Sequence, residues 1–161
     1  MPAAVERCRR LLDLDADPVA VDAALGTDAD LAPLVAARPG LRVPGTVDGA
    51  EQAVRAVVGQ QVSLAAARTT LGRLTAAYGP ELDPALQGVE PGVTRVFPDP
   101  ATLARLDPRD PDCLPMPATR RRAVVLLAQA LADGTLRLDR GQDRQEARVQ
   151  LLAIPGIGEW T

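Results

Sequence analysis

Apolar residues recur along this chain at three- and four-residue steps, and no stretch shows the strict alternation of a half-buried strand. The pattern predicts helices joined by Pro/Gly loops. Val5, Cys8, Leu11 and Leu12 share a face in a first helix. "DADPVAVDAALG" puts Asp17 at an N-cap, Pro18 at the first helical position and Gly26 just past the end. "DLAPLVAA" predicts another short helix, closed by Pro39 and Gly40.

Asp48 and Glu51 have capping-box spacing, which predicts a helix from about Gly49 to about Gly59 with Ala50, Val54, Val57 and Val58 as its apolar stripe. Ser63 is placed to cap the next helix, whose apolar set is Leu64, Ala67, Leu71, Leu74 and Tyr78. Gly79-Pro80 ends it, and "GQQVS" is the short polar joint between the two. Residues 79–99 read as a long Pro/Gly-rich loop, of a kind that is often mobile or functional. Asp99-Pro100 predicts a short helix and Asp107-Pro108 another. A longer helix follows Pro117, with Val124, Leu127, Ala128 and Leu131 inward and Gly134 closing it. Asp143 and Glu146 repeat the capping-box spacing before a last helix carrying Ala147, Leu151 and Leu152. The fold class is all-α. One domain is expected over 1–161, in four parts: N-terminal helices and linker (1–45), a helix pair with its joint (46–79), a loop-rich segment (80–117), and a helix plus terminal turn (118–161).

Composition narrows the chemistry. Aromatics are 2% of the 161 residues, so the core must be Leu, Val, Ala and Ile. With no histidine and no lysine, a His-dependent triad and a Lys Schiff base are both excluded for these residues. A net charge of −3 argues against a globally basic nucleic-acid binder, though not against a local site built from backbone amides. Cys8 and Cys113 lie far apart with no metal spacing and read as free buried thiols in a reducing cytosol. No hydrophobic run is long enough to span a membrane, and "MPAAVERCRR" lacks the apolar stretch of a secretory signal. A cytoplasmic monomer is expected.

The last residues, "LLAIPGIGEWT", carry the sharpest feature. A helix ends near Ala153, "PGIG" turns, and Glu159-Trp160-Thr161 begin another helix. Pro155 stops the first helix, while Gly156 and Gly158 permit a tight turn and leave its amides bare. The unpaired N–H groups and positive dipole end of the second helix suit one phosphate. Ile157 would tuck into the core. A plain helical corner, with glycines needed for geometry alone, is the competing reading.

The string "L-x-x-I-P-G-I-G-x-W-T" resembles the helix-hairpin-helix element of base-excision DNA glycosylases. "AVRAVVGQQVSLAAARTTLGRL" (Ala53–Leu74) is similar to the helix–joint–helix of the AlkA-like DNA-3-methyladenine glycosylase II type. "ARPGLRVPG" resembles the segment that precedes it, and "PMPATRRRAVVLLAQALADGTL" the helix between the two motifs. The four matches stand in family order. The resemblance implies a helical bundle of that type, C-terminally incomplete, and monofunctional hydrolysis of the N-glycosidic bond of 3-methyladenine-type lesions in duplex DNA after base flipping.

It also implies roles. Pro155, Gly156, Ile157 and Gly158 would grip a DNA phosphate through hairpin amides. The carbonyls of Leu152, Ile154 and Ile157 would hold a structural monovalent cation; no other cofactor is expected. The joint would fill the gap left by the flipped base, which assigns Gln61, with Gln60 beside it; satisfying a helix end is the alternative for this pair. Strand-cleaving relatives carry a nucleophilic Lys where this chain has Trp160, so hydrolysis is implied. Trp160 would face the lesion pocket or else pack in the core. Arg120, Arg121 and Arg122 open a helix, where positive charge opposes the dipole, so they read as phosphate contacts or as a solvated basic face.

The superfamily's catalytic Asp would lie beyond Thr161, and Asp143 and Glu159 do not match its position, so these residues alone are expected to release no base. The β-rich N-terminal domain of many AlkA-like proteins is expected to be absent. A face left uncovered by missing helices would expose apolar surface. Alternatives are a non-catalytic DNA-binding module, a helical protein-interaction domain with a coincidental turn, and part of a fusion with another alkylation-response domain.

Overall fold

The computed structural model describes residues 2–139, 141–159 and 161, the side chain of Pro2 apart. Among the described residues the chain is helical, with a single isolated antiparallel bridge between Glu81 and Arg95. It divides into two compact units, Met1–Asp48 and Gly49–Thr161.

The first unit holds α1 (Pro2–Leu11), α2 (Pro18–Leu25) and α3 (Ala32–Ala37). Asp17 caps α2 as its spacing predicts, accepting the N–H groups of Val19 and Ala20 at 3.0 and 3.2 Å. Asp22 accepts the Gly40 N–H at 2.7 Å, and the Arg42 guanidinium donates to the carbonyls of Asp13 and Ala16. These bonds fold the 38–43 segment back on the helices. No described residue of this unit is fully buried, and Val5 on α1 is 59% exposed. The unit is held by polar ties more than by a core of its own.

The second unit holds α4 (Gly49–Gly59), α5 (Leu64–Tyr78), α6 (Pro100–Ala104), α7 (Ala118–Ala132) and α8 (Arg144–Leu152). Helix α7 packs on both α4 and α6, and α5 leans on α4. Their shared core is aliphatic: Val54, Val57, Leu74, Leu103, Leu114, Val124, Leu127 and Leu136 are all essentially inaccessible. Each such side chain contributes about 1.5–3 kcal/mol by leaving water. The caps at Ser63, Asp99 and Asp143 form as their spacing predicts.

Two expectations are corrected. Leu64 does not face the core; as the first residue of α5 it projects past the end of the packed layer and is 77% exposed. Asp107-Pro108 starts no helix; Asp110 N–H donates to Asp107 O at 3.1 Å and closes a single turn that is not propagated. Asp107 O accepts the Cys113 thiol at 3.1 Å and Pro108 O accepts Arg121 Nε at 3.0 Å. The 79–99 loop is zipped at its base: Leu82 N–H donates to Thr94 O and Val96 N–H to Pro80 O, each at 2.9 Å, while Arg95 donates to Gly79 O at 2.7 Å.

Candidate nucleic-acid interface

After α8 the chain turns through Ile154–Gly158, with Ile157 N–H donating to Ile154 O at 3.0 Å. Ile154 and Ile157 are buried, and Pro155, Gly156 and Gly158 are exposed. The two glycines differ in kind. Gly156 has φ +95°, and a Cβ on it would stand 3.0 Å from Ala123 Cβ and 3.7 Å from Thr119 O. Its lack of a side chain lets the hairpin sit against the first turns of α7. Gly158 has no such constraint: a Cβ there would meet nothing within 4 Å. Packing does not require a bare backbone at Gly158.

The Gly158 N–H donates to Thr161 Oγ1 at 3.0 Å, and the Thr161 N–H donates to Gly158 O at 3.0 Å. This reciprocal pair ties Gly158 to Thr161 outside any described helix. The picture of a wholly unpaired set of hairpin amides is therefore corrected. Pro155 has no N–H, and the Ile157 N–H is used inside the turn. Gly156 N–H has no partner among the described residues, and Gly158 N–H is held by the Thr161 hydroxyl. Trp160 lies outside the described residues.

The joint between α4 and α5 meets the hairpin here. Gln60 is half-buried, and its Nε2 donates to the same Thr161 Oγ1. Gln61 is exposed and holds φ +53°, a left-handed conformation uncommon for a residue with a side chain. Gln60, Gln61, Gly156, Gly158 and Thr161 line one cleft of about 390 Å³. The two segments singled out by the sequence are thus one site. Sequence reasoning missed Thr161 as its link, although the three-residue step from Gly158 is a capping signal. It also missed the apolar surface beside Gln61, where Val62 is 39% and Leu64 77% exposed.

The arginine triplet does not act as a unit. Arg121 is buried and donates to the carbonyls of Pro108, Leu114 and Met116 at 3.0, 3.4 and 2.7 Å. It pins the 107–116 segment and is unavailable to a phosphate. Arg122 is exposed, Arg120 is half-buried, and neither forms an ion pair with a described residue. The same anchored segment is held by the Tyr78 hydroxyl, which donates to Cys113 O at 2.7 Å. Burial pushes both the Tyr78 hydroxyl and the Cys113 thiol up from their ordinary pKa ranges.

The acids near the hairpin are committed. Asp143 accepts the N–H groups of Gln145 and Glu146 at 2.7 and 3.0 Å, and Glu159 pairs with Arg148 at 2.6 Å. An apolar groove of about 340 Å³ runs beside them between α4 and α8, lined in part by Ala53, Val57, Ala147 and Leu151. No group of three or more His, Cys, Asp or Glu among the described residues could hold a metal. Of the three carbonyls expected to hold a monovalent cation, that of Ile154 already accepts the Ile157 N–H, which leaves it one lone pair.

Comparison with known proteins places this geometry. Residues 1–48 match the model of the AlkA N-terminal domain. Over 158 residues the chain is 51% identical to the "Probable bifunctional transcriptional activator/DNA repair enzyme AlkA" of Mycobacterium tuberculosis, covering 98% of this chain and 30% of that protein. It is 41% identical over 163 residues to "DNA-3-methyladenine glycosylase 2" of Escherichia coli, covering 99% of this chain and 54% of that one. Along nearly its whole length the chain is thus similar to AlkA-like DNA glycosylases. It spans about half or less of the length of these two relatives.

Solved glycosylase structures share the fold. "MBOgg1 in complex with low affinity DNA ligand" superposes with a TM-score of 0.72 at 20% identity, over 98% of this chain and 53% of that one. The 3-methyladenine DNA-glycosylase of Archaeoglobus fulgidus gives 0.68 at 17% identity, over 99% and 52%. The AlkA-like match over 1–48 coincides with the first structural unit. It corrects the expectation that the N-terminal domain is absent: part of it is present, as the helices α1–α3. No helix among the described residues is long and apolar enough to cross a membrane.

Proposed function

We propose that this chain is the DNA-gripping part of a base-excision repair glycosylase for alkylated DNA, of 3-methyladenine type, acting as a monomer by hydrolysis. The observation that carries this reading is the single cleft in which Gln61, Gly156 and Gly158 meet. Gly156 and Gly158 N–H groups would receive a backbone phosphate, a contact that positions DNA without reading sequence. A monovalent cation on the carbonyls of Leu152, Ile154 and Ile157 would stiffen the turn. Gln61, exposed at the tip of the joint, would enter the stack where the damaged base has left. Absence of lysine at the Trp160 position supports hydrolysis over strand cleavage.

The carboxylate that stabilises the departing sugar's charge is not Asp143 or Glu159, which already have partners. These residues alone are expected to release no base. The test measures affinity for a duplex carrying a tetrahydrofuran abasic-site analogue against the intact duplex. Tighter, salt-sensitive binding of the abasic duplex is expected. Equal affinity for the two, or none, overturns the reading, and release of 3-methyladenine from methylated DNA overturns the assignment of the acid.

The printed name of the M. tuberculosis relative favours a second reading, in which this module works joined to a regulator of the alkylation response. Reading the gene upstream of Met1 decides it.

A further inference from the structure

Gln60 and Gln61 are adjacent in the joint and identical in type, yet the structure treats them oppositely. Gln61 is exposed in a left-handed conformation, while Gln60 is half-buried and turned toward the hairpin. The Gln60 amide donates to Thr161 Oγ1, and that oxygen also accepts the Gly158 N–H. One hydroxyl oxygen thus receives two donors, one from each of the two segments that line the cleft. It is a side-chain tie between the joint and the turn at the cleft itself.

We propose that Gln60 is a positioning residue: through Thr161 it fixes the Gly158 amide relative to the tip that carries Gln61, so that the phosphate grip and the gap-filling side chain engage DNA in one register. The inference rests on the DNA-binding reading above and divides the glutamine pair between two roles. The chemistry requires a side chain that donates while the Thr161 hydroxyl accepts. A shift of about an ångström between grip and tip matters, because a rigid duplex fixes the distance between its backbone phosphate and the opened step.

The experiment compares the wild-type chain with Gln60→Leu, Thr161→Val, the double variant and Thr161→Ser. It reads affinity for the abasic-analogue duplex, the thermal midpoint, and exchange of the Gly158 amide proton by NMR. Each single variant is expected to weaken binding by roughly fivefold, the equivalent of one hydrogen bond. The double variant is expected to be no weaker than either single one, since both remove the same tie. Gly158 exchange should quicken in Gln60→Leu with the midpoint unchanged, because the tie is exposed, and Thr161→Ser should retain wild-type affinity. A purely structural role would move the midpoint together with the affinity. Wild-type affinity in Gln60→Leu overturns the proposal, as does a double variant weaker by the product of the singles, roughly twenty-fivefold. If Gln60→Leu does not fold, Thr161→Val reports the same tie from its other end. If the wild-type chain binds no duplex, the DNA reading falls and the role of Gln60 with it; Gly158 exchange then shows separately whether the tie exists.

Discussion

Ala123 Cβ stands 3.0 Å from the point at which a side chain on Gly156 would begin. The hairpin is seated on α7 at this contact, and φ +95° at Gly156 adds a conformational requirement to the steric one. Gly156→Ala is expected to destabilise the fold by about 1–3 kcal/mol, read by chemical denaturation. Gly158→Ala meets open space and should leave stability unchanged while weakening duplex binding. Equal loss of stability in both variants would show that the turn is a plain helical corner.

The arginine triplet separates in the same way. Arg121→Ala removes three hydrogen bonds from buried or half-buried carbonyls and should cost about 3 kcal/mol in a denaturant titration. Arg120→Ala and Arg122→Ala should leave the denaturation midpoint within about 0.5 kcal/mol of wild type. Each should weaken duplex binding and lower the salt dependence by about one phosphate if it contacts the backbone. A slope unchanged in both assigns them to a solvated face.

Local signals made much of this legible. The caps at Asp17, Ser63, Asp99 and Asp143 announce their helices within a few residues, and "PGIG" announces its turn. The burial of Arg121 was also within reach. It lies three, four and seven residues before Val124, Val125 and Ala128, on the face that α7 buries. A run of three arginines hides that phase. The Gln60–Thr161 tie was not legible, because it joins positions 101 residues apart and no local pattern encodes it. The division at Asp48/Gly49 was not legible either: no described residue of the first unit is buried, so the shared face of Val5, Cys8, Leu11 and Leu12 marks no core of its own.

Asp99 gives a pH-dependent prediction. The side-chain and backbone hydrogen bonds of Thr102 hold its carboxyl below the ordinary value. A depressed folded pKa means the contribution is present above the unfolded pKa, about 3.9, and is lost as pH falls through the folded value. Asp99→Ala should cost about 1 kcal/mol at neutral pH, and the difference from wild type should shrink as pH drops below about 4. Asp99→Asn, which caps without titrating, should show no such convergence. Thermal midpoints across acid pH measure both.

The two cysteines should react unequally. Cys8 is exposed, whereas Cys113 is buried, with its thiol donating to Asp107 O and its pKa raised by burial. Alkylation of the native chain near neutral pH should modify Cys8 and spare Cys113, as read by peptide mass spectrometry. Both should react in denaturant. Rapid native labelling of Cys113 would mean that the 107–116 segment opens readily, contrary to its anchoring by Arg121 and Tyr78.

Gln61 tests whether strain at the joint serves function. A left-handed backbone costs a residue with a Cβ about 1–2 kcal/mol, and glycine escapes that cost. Glycine also loses more entropy on folding, so Gln61→Gly should stabilise the chain by up to about 1 kcal/mol. The same change removes the side chain proposed to fill the gap. Preference for the abasic-analogue duplex over the intact one should then fall while the thermal midpoint rises. Opposite movement of these two quantities is the mark of a position held in a costly conformation for what it presents. A stabilised variant with undiminished preference would remove Gln61 from the interface and leave Val62 and Leu64 as the residues at the tip that could enter the stack.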